Sequence, residues 1–171
     1  MHAARALAVV ALASAAAAAS AACGSNDAAP ADAGADVAPG PLGCANEPGV
    51  DAFAPGLTHR GPNGLSFVIA AADAVPPAAD NNTWTVKILD PGGAPASGAV
   101  VTLPKGTHPS DPWMPAHTNH GTISPAITDL GGGSFTIAPL YLFMSGVWSL
   151  RIDAQVGGVT DSTTFSVCVG G

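Results

Sequence analysis

Apolar side chains recur at every second position through much of the chain from residue 64 onward, and Gly- and Pro-rich turns separate these runs. Such two-residue periodicity with Val, Ile, Thr, Phe and Trp predicts half-buried strands, and no amphipathic helical pattern interrupts it. The expected strands are Leu65–Ala70, Thr83–Asp90, Ala99–Leu103, a short one over Thr122–Ile127 broken by Pro125, Ser134–Ile137, Val147–Asp153 and Thr163–Val169. Within them, Trp84, Val86 and Ile88 share one face, as do Phe135 and Ile137, then Trp148, Leu150 and Ile152, then Phe165, Val167 and Val169. Thr85, Lys87, Ser149, Arg151 and Asp153 fall on the opposite faces. About seven short strands over roughly a hundred residues predict an all-β domain, an immunoglobulin-like antiparallel β-sandwich spanning residues 44–171.

The stretch before this domain has a different pattern. Arg5 is followed by an apolar, alanine-rich run and by Ser20-Ala-Ala-Cys23, so residues 1–22 read as a secretory signal rather than a membrane span. The small residues before Cys23 resemble the bacterial lipobox, with Ser20 where a large aliphatic residue is usual. That resemblance implies lipidation of Cys23 and anchoring in the cell envelope. Gly24 follows in place of an aspartate, which favours the outer membrane in a two-membrane host. Residues 23–43 carry no aromatic side chain, one leucine and one valine, too little apolar surface for a core. They read as a disordered, extended Ala/Asp/Pro/Gly tether.

Charge narrows the range of partners. Without Arg5, four Lys and Arg stand against twelve Asp and Glu, a net of −8. So acidic a chain is a poor match for nucleic acid or for anionic lipid surfaces. Of the three cysteines, Cys44 and Cys168 bracket the domain. In an exported protein they are best read as a disulfide, which would stabilise the domain by about 2–5 kcal/mol; the alternative is two thiols acting as metal ligands.

The candidate chemistry lies in Trp113-Met-Pro-Ala-His-Thr-Asn-His-Gly121. Met114, His117 and His120 lie within seven residues of one another, and the other internal methionine, Met144, precedes Ser145-Gly146 at the entrance to a late strand. Thioether and imidazole together form a soft-to-borderline donor set that suits copper. Residues three apart on a strand point to opposite faces, so His117 and His120 need a turn to converge; Thr118-Asn119 before Gly121 supplies one. A plainer reading stands beside this: Met114 in the core and the two histidines in a solvated turn. His59 and His108 read as solvated loop residues, and Trp113 and Trp148 as packing residues. No Gly-x-Ser-x-Gly elbow, paired-carboxylate cluster, phosphate loop or His-Glu-x-x-His helix is present, so an enzyme is not expected.

Taken in order, several segments resemble the YtkA-like domain family over residues 64–169. They are Trp84–Asp90 before a Gly-rich turn, Gly98-Ala-Val-Val, Met114-Pro-Ala-His117 with a later His-Gly pair, Gly133-Ser-Phe-Thr and Phe143-Met-Ser-Gly-Val-Trp-Ser-Leu150. His117 and His120 are more widely spaced than that family's pair. The resemblance implies a small exported Ig-like domain, related in pattern to copper-handling and oxidase-assembly proteins. The leading expectation is therefore a lipid-anchored domain that binds or delivers copper through Met114, His117, His120 and Met144, exchanging it with a donor or acceptor protein of the envelope. The alternative is a non-catalytic interaction module of the cell envelope that holds no metal.

Overall fold

Eight antiparallel strands make up the domain in the computed structural model, which describes residues 44, 46–104, 112–117 and 120–170. The expected signal and tether, Cys23 included, lie outside the described residues, as does His108. The strands are β1 (Thr58–Arg60), β2 (Ser66–Ala72), β3 (Asn81–Leu89), β4 (Val100–Thr102), β5 (Ala126–Gly131), β6 (Ser134–Tyr141), β7 (Gly146–Val156) and β8 (Val159–Val169). One sheet runs β1-β2-β3-β6-β5 and the other β4-β7-β8. With β2 to β8 taken as strands A to G, these are the A-B-E-D and C-F-G sheets of a constant-type immunoglobulin sandwich, with β1 added at an edge.

The alternation read from the sequence is what closes the sandwich. Phe67, Ile69, Trp84, Val86, Ile88, Phe135 and Ile137 from the larger sheet share one buried cluster with Trp148, Leu150, Ile152, Phe165 and Val167 from the smaller. Burial of each such side chain contributes about 1.5–3 kcal/mol before the entropy of ordering is set against it.

The strand boundaries differ from expectation for local reasons. The strand expected over Thr122–Ile127 begins at Ala126 and runs on to Gly131. Pro125 has no N–H to give to a ladder, so pairing with β6 starts immediately after it, at Ala126 opposite Ala138. The last two strands are longer than expected and pair from Gly146↔Val169 to Val156↔Val159. Gly157 and Gly158, both at positive φ (57° and 83°), form the two-residue turn between them.

Long-range polar contacts fasten the ends. Cys44 and Cys168 form the expected disulfide across 124 residues of sequence, with Cα atoms 5.5 Å apart. Asp161 on β8 is buried, and its Oδ2 accepts the amides of Asn63 and Leu65, each at 3.0 Å. A side chain at Gly61 would run into that carboxylate. His59 is not a solvated loop residue: it sits on β1 and stacks on Phe165 with ring centres 4.5 Å apart. Its Nε2 lies 2.8 Å from Asp51 Oδ1 and its Nδ1 3.2 Å from Thr163 Oγ1. Asp51 in turn exchanges backbone and side-chain bonds with Ser166, which lays the N-terminal segment along β8.

Candidate metal centre

The Met/His stretch is held to the sandwich at its neck. Trp113 exchanges both backbone hydrogen bonds with Ser149 of β7, at 3.0 and 2.8 Å, and bridges to Gly121 on its other side. Past β4, the chain thus returns to the edge of β7 and extends the smaller sheet by one bridge.

Beyond the neck, three backbone bonds close a compact loop. The Met114 amide donates to His120 O at 2.9 Å, the His117 amide to Met114 O at 3.0 Å, and the His120 amide to His117 O at 2.8 Å. The last two each close a β-turn, and the second is the turn that the His117–His120 spacing required. Thr118 and Asn119 themselves lie outside the described residues.

These turns bring the imidazoles together. The rings of His117 and His120 stack at 5.1 Å between centres with planes 21° apart. Two imidazoles on one tetrahedral ion, with metal–nitrogen bonds of about 2 Å, also stand roughly 5 Å apart between centres. Each lone pair lies in its ring plane, however, so a shared ion would need one of these stacked rings to turn about its Cβ–Cγ bond. His117 is exposed and His120 half-buried. The Nδ1 of His120 is enclosed and has no hydrogen-bond partner among the described residues. A buried polar atom left unpaired costs about 1–3 kcal/mol, which a bound cation would offset.

The thioethers occupy two different environments. Met114 is 2% exposed and belongs to the core cluster. Its methyl group meets Gly146: a Cβ built on that glycine, whose φ is +134°, would lie 2.7 Å from Met114 Cε. Met144, two residues earlier, is half-buried against the same cluster, and its carbonyl accepts Trp148 Nε1 at 2.8 Å. The Met114–Gly146 contact therefore brings the Met/His loop onto the segment that carries Met144. Gly146 and Ser145 also line a cavity of about 260 Å³ with Cys44, Glu47 and Val169.

An aromatic row continues from the histidines. Phe143 meets His120 edge-on at 6.3 Å, Tyr141 at 5.8 Å and Trp148 beneath at 5.4 Å. The signal for this row was present in Leu140-Tyr-Leu-Phe143, where the leucines are buried while Tyr141 and Phe143 remain 44% and 37% exposed. The periodic reading stopped at Ile137 and so passed over it. Among the described residues, no group of three or more His, Cys, Asp or Glu side chains converges.

The fold and this loop together define an Ig-like β-sandwich, closed by a disulfide and bearing a Met/His loop at one strand edge. No family model, curated protein or solved structure matches the chain.

Proposed function

We propose that this protein is a lipid-anchored, extracytoplasmic sandwich that binds copper through its Met/His loop and exchanges it with another protein of the cell envelope. The observation that carries this is the pair of imidazoles stacked at 5.1 Å, one with an enclosed ring nitrogen that has no partner among the described residues. His117 and His120 would supply nitrogen, while Met144 and Met114 would supply the sulfur that favours Cu(I) over harder ions. Bound there, copper would bring a soft, exchangeable, redox-active charge to the loop; the chain's own part is to hold the donors. The two turns preset the imidazoles, Trp113 fixes the loop to β7, and Gly146 leaves room for Met114. The disulfide agrees with an oxidising compartment, the lipobox-like Cys23 supports anchoring, and the YtkA-like pattern supports copper handling.

A second function class has its own supporting observation. Ile123 is 83% exposed, and Tyr141 and Phe143 add apolar surface of the kind that proteins use to meet one another. On that alternative, the domain is an interaction module without metal. Chelator competition for Cu(I) on the wild-type protein separates the two. Affinity that depends on His117 supports copper handling, and no measurable affinity leaves the module.

A further inference from the structure

Asn63 is the only asparagine of this chain that a glycine follows. Asparagine is a chemically labile residue, because the next residue's backbone nitrogen can attack its side-chain carbonyl carbon. Gly64 has no side chain to shield that nitrogen. The other described asparagines differ. Asn46 precedes Glu47 and Asn81 precedes Asn82, while Asn82 is fully buried with its amide held by the carbonyls of Ala78, Asp80 and Leu140.

Asn63 is exposed at the third position of the turn Gly61-Pro62-Asn63-Gly64, which the Gly64 amide closes on Gly61 O at 3.1 Å. Two bonds tie it to β8: its backbone N–H donates to Asp161 Oδ2 at 3.0 Å, and its Nδ2 donates to Thr160 O at 2.8 Å. We propose that Asn63 is a modification site, where spontaneous deamidation releases the β1–β2 connection from β8. Once the turn opens, Gly64 N bonds to Asn63 Cγ, the Cγ–Nδ2 bond breaks, and ammonia leaves with the proton that Gly64 N gives up. Water then opens the cyclic imide at either carbonyl, leaving aspartate or isoaspartate. Aspartate sets a carboxylate against Thr160 O and beside Asp161, an acceptor where Nδ2 had donated. Isoaspartate adds a methylene to the main chain of the turn, so the amides of residues 63 and 65 no longer both reach Asp161 Oδ2. None of the Met/His donors takes part, so this site stands apart from the copper proposal.

Incubation of the full chain in warm, mildly alkaline buffer, followed by peptide mapping by mass spectrometry and an enzymatic isoaspartate assay, tests this. The expected result is conversion at Asn63 ahead of every other asparagine, faster at higher pH because the attacking nitrogen must lose its proton. Asp161→Ala, whose turn is freer to open, should convert severalfold faster. Hydrogen exchange at the Leu65 amide should accelerate severalfold in the converted protein, and Asn63→Asp should reproduce that change. If Asn63→Asp does not fold, the aged wild-type protein carries the same readout. Asn63→Gln forms the larger cyclic imide far more slowly and should stay unconverted. An Asn63 that outlasts the other asparagines overturns the inference. So does conversion that leaves Leu65 protection unchanged, or an Asn63→Gln variant that loses ammonia there at the wild-type rate.

Discussion

The methyl group of Met114 rests against the bare α-carbon of Gly146, where any side chain would begin only 2.7 Å from it. Through this contact, a loop that follows β4 is fitted onto the entrance of β7. Gly146→Ala should therefore cost about 1–3 kcal/mol, chiefly from a φ of +134° that L residues avoid, with a smaller part from the Met114 methyl, which ends a flexible side chain and can move aside. Met114→Leu removes the terminal methyl and should cost less in the Gly146→Ala background than in the wild type. Urea unfolding of the two single variants and the double variant measures that coupling. Strict additivity would show that the contact is not the source of the cost.

The sulfur donors are tested by selectivity rather than by affinity alone. Met114→Leu with Met144→Leu nearly conserves volume and should cost under about 1.5 kcal/mol of stability per site. If the thioethers ligate, that double variant loses its preference for Cu(I) over Zn(II), whereas His117→Ala weakens both ions. Chelator competition with each metal reads the outcome. A double variant that binds Cu(I) as tightly as the wild type would return both methionines to a packing role.

The disulfide joins residues 124 apart, so its loss should release a large loop in the unfolded chain. Cys44→Ser with Cys168→Ser is expected to lower stability by about 2–5 kcal/mol. Wild-type protein in strong reductant should unfold at the same urea concentration as that variant. If reductant leaves the wild-type curve unmoved, the bridge contributes nothing in solution.

Asp161 gives one carboxylate oxygen to two backbone amides of the β1–β2 connection, Asn63 and Leu65. Asp161→Ala should cost about 1–3 kcal/mol for each amide that water does not reach. Hydrogen exchange at the Leu65 amide should accelerate with it. Unchanged protection at Leu65 would mean that another acceptor takes over.

Anchoring is tested at Cys23. The mature wild-type protein should partition into detergent and carry the added mass of acyl chains, and Cys23→Ser should move it to the aqueous phase. Recovery of the wild type in the aqueous phase would end the lipid-anchor proposal.

Strand periodicity is a local property, and here it was enough for the class of fold. Trp84, Val86 and Ile88 alternate with polar neighbours, and the same holds for Trp148, Leu150 and Ile152, so the two inner faces could be read before any pairing was known. The bracketing positions of Cys44 and Cys168 carried the disulfide in the same way. β1 was not legible, because Thr58-His-Arg60 is too short to show a period and forms only by pairing with β2. His59 looked solvated for the same reason: Asp51, Thr163 and Phe165, its partners, come from elsewhere in the chain.

By itself the sequence determined an all-β sandwich, the inward face of its main strands, the cysteine pairing and the need for a turn between His117 and His120. Each of these depends on spacing along the chain. Only the tertiary structure decided that β2 to β8 take immunoglobulin order and that Trp113 docks on Ser149. It also decided that Met114 turns into the core against Gly146 and that His120 continues into the Phe143–Tyr141 row. Those outcomes depend on which distant surfaces meet when the two sheets close, and periodicity says which face a side chain takes but not what it will touch there.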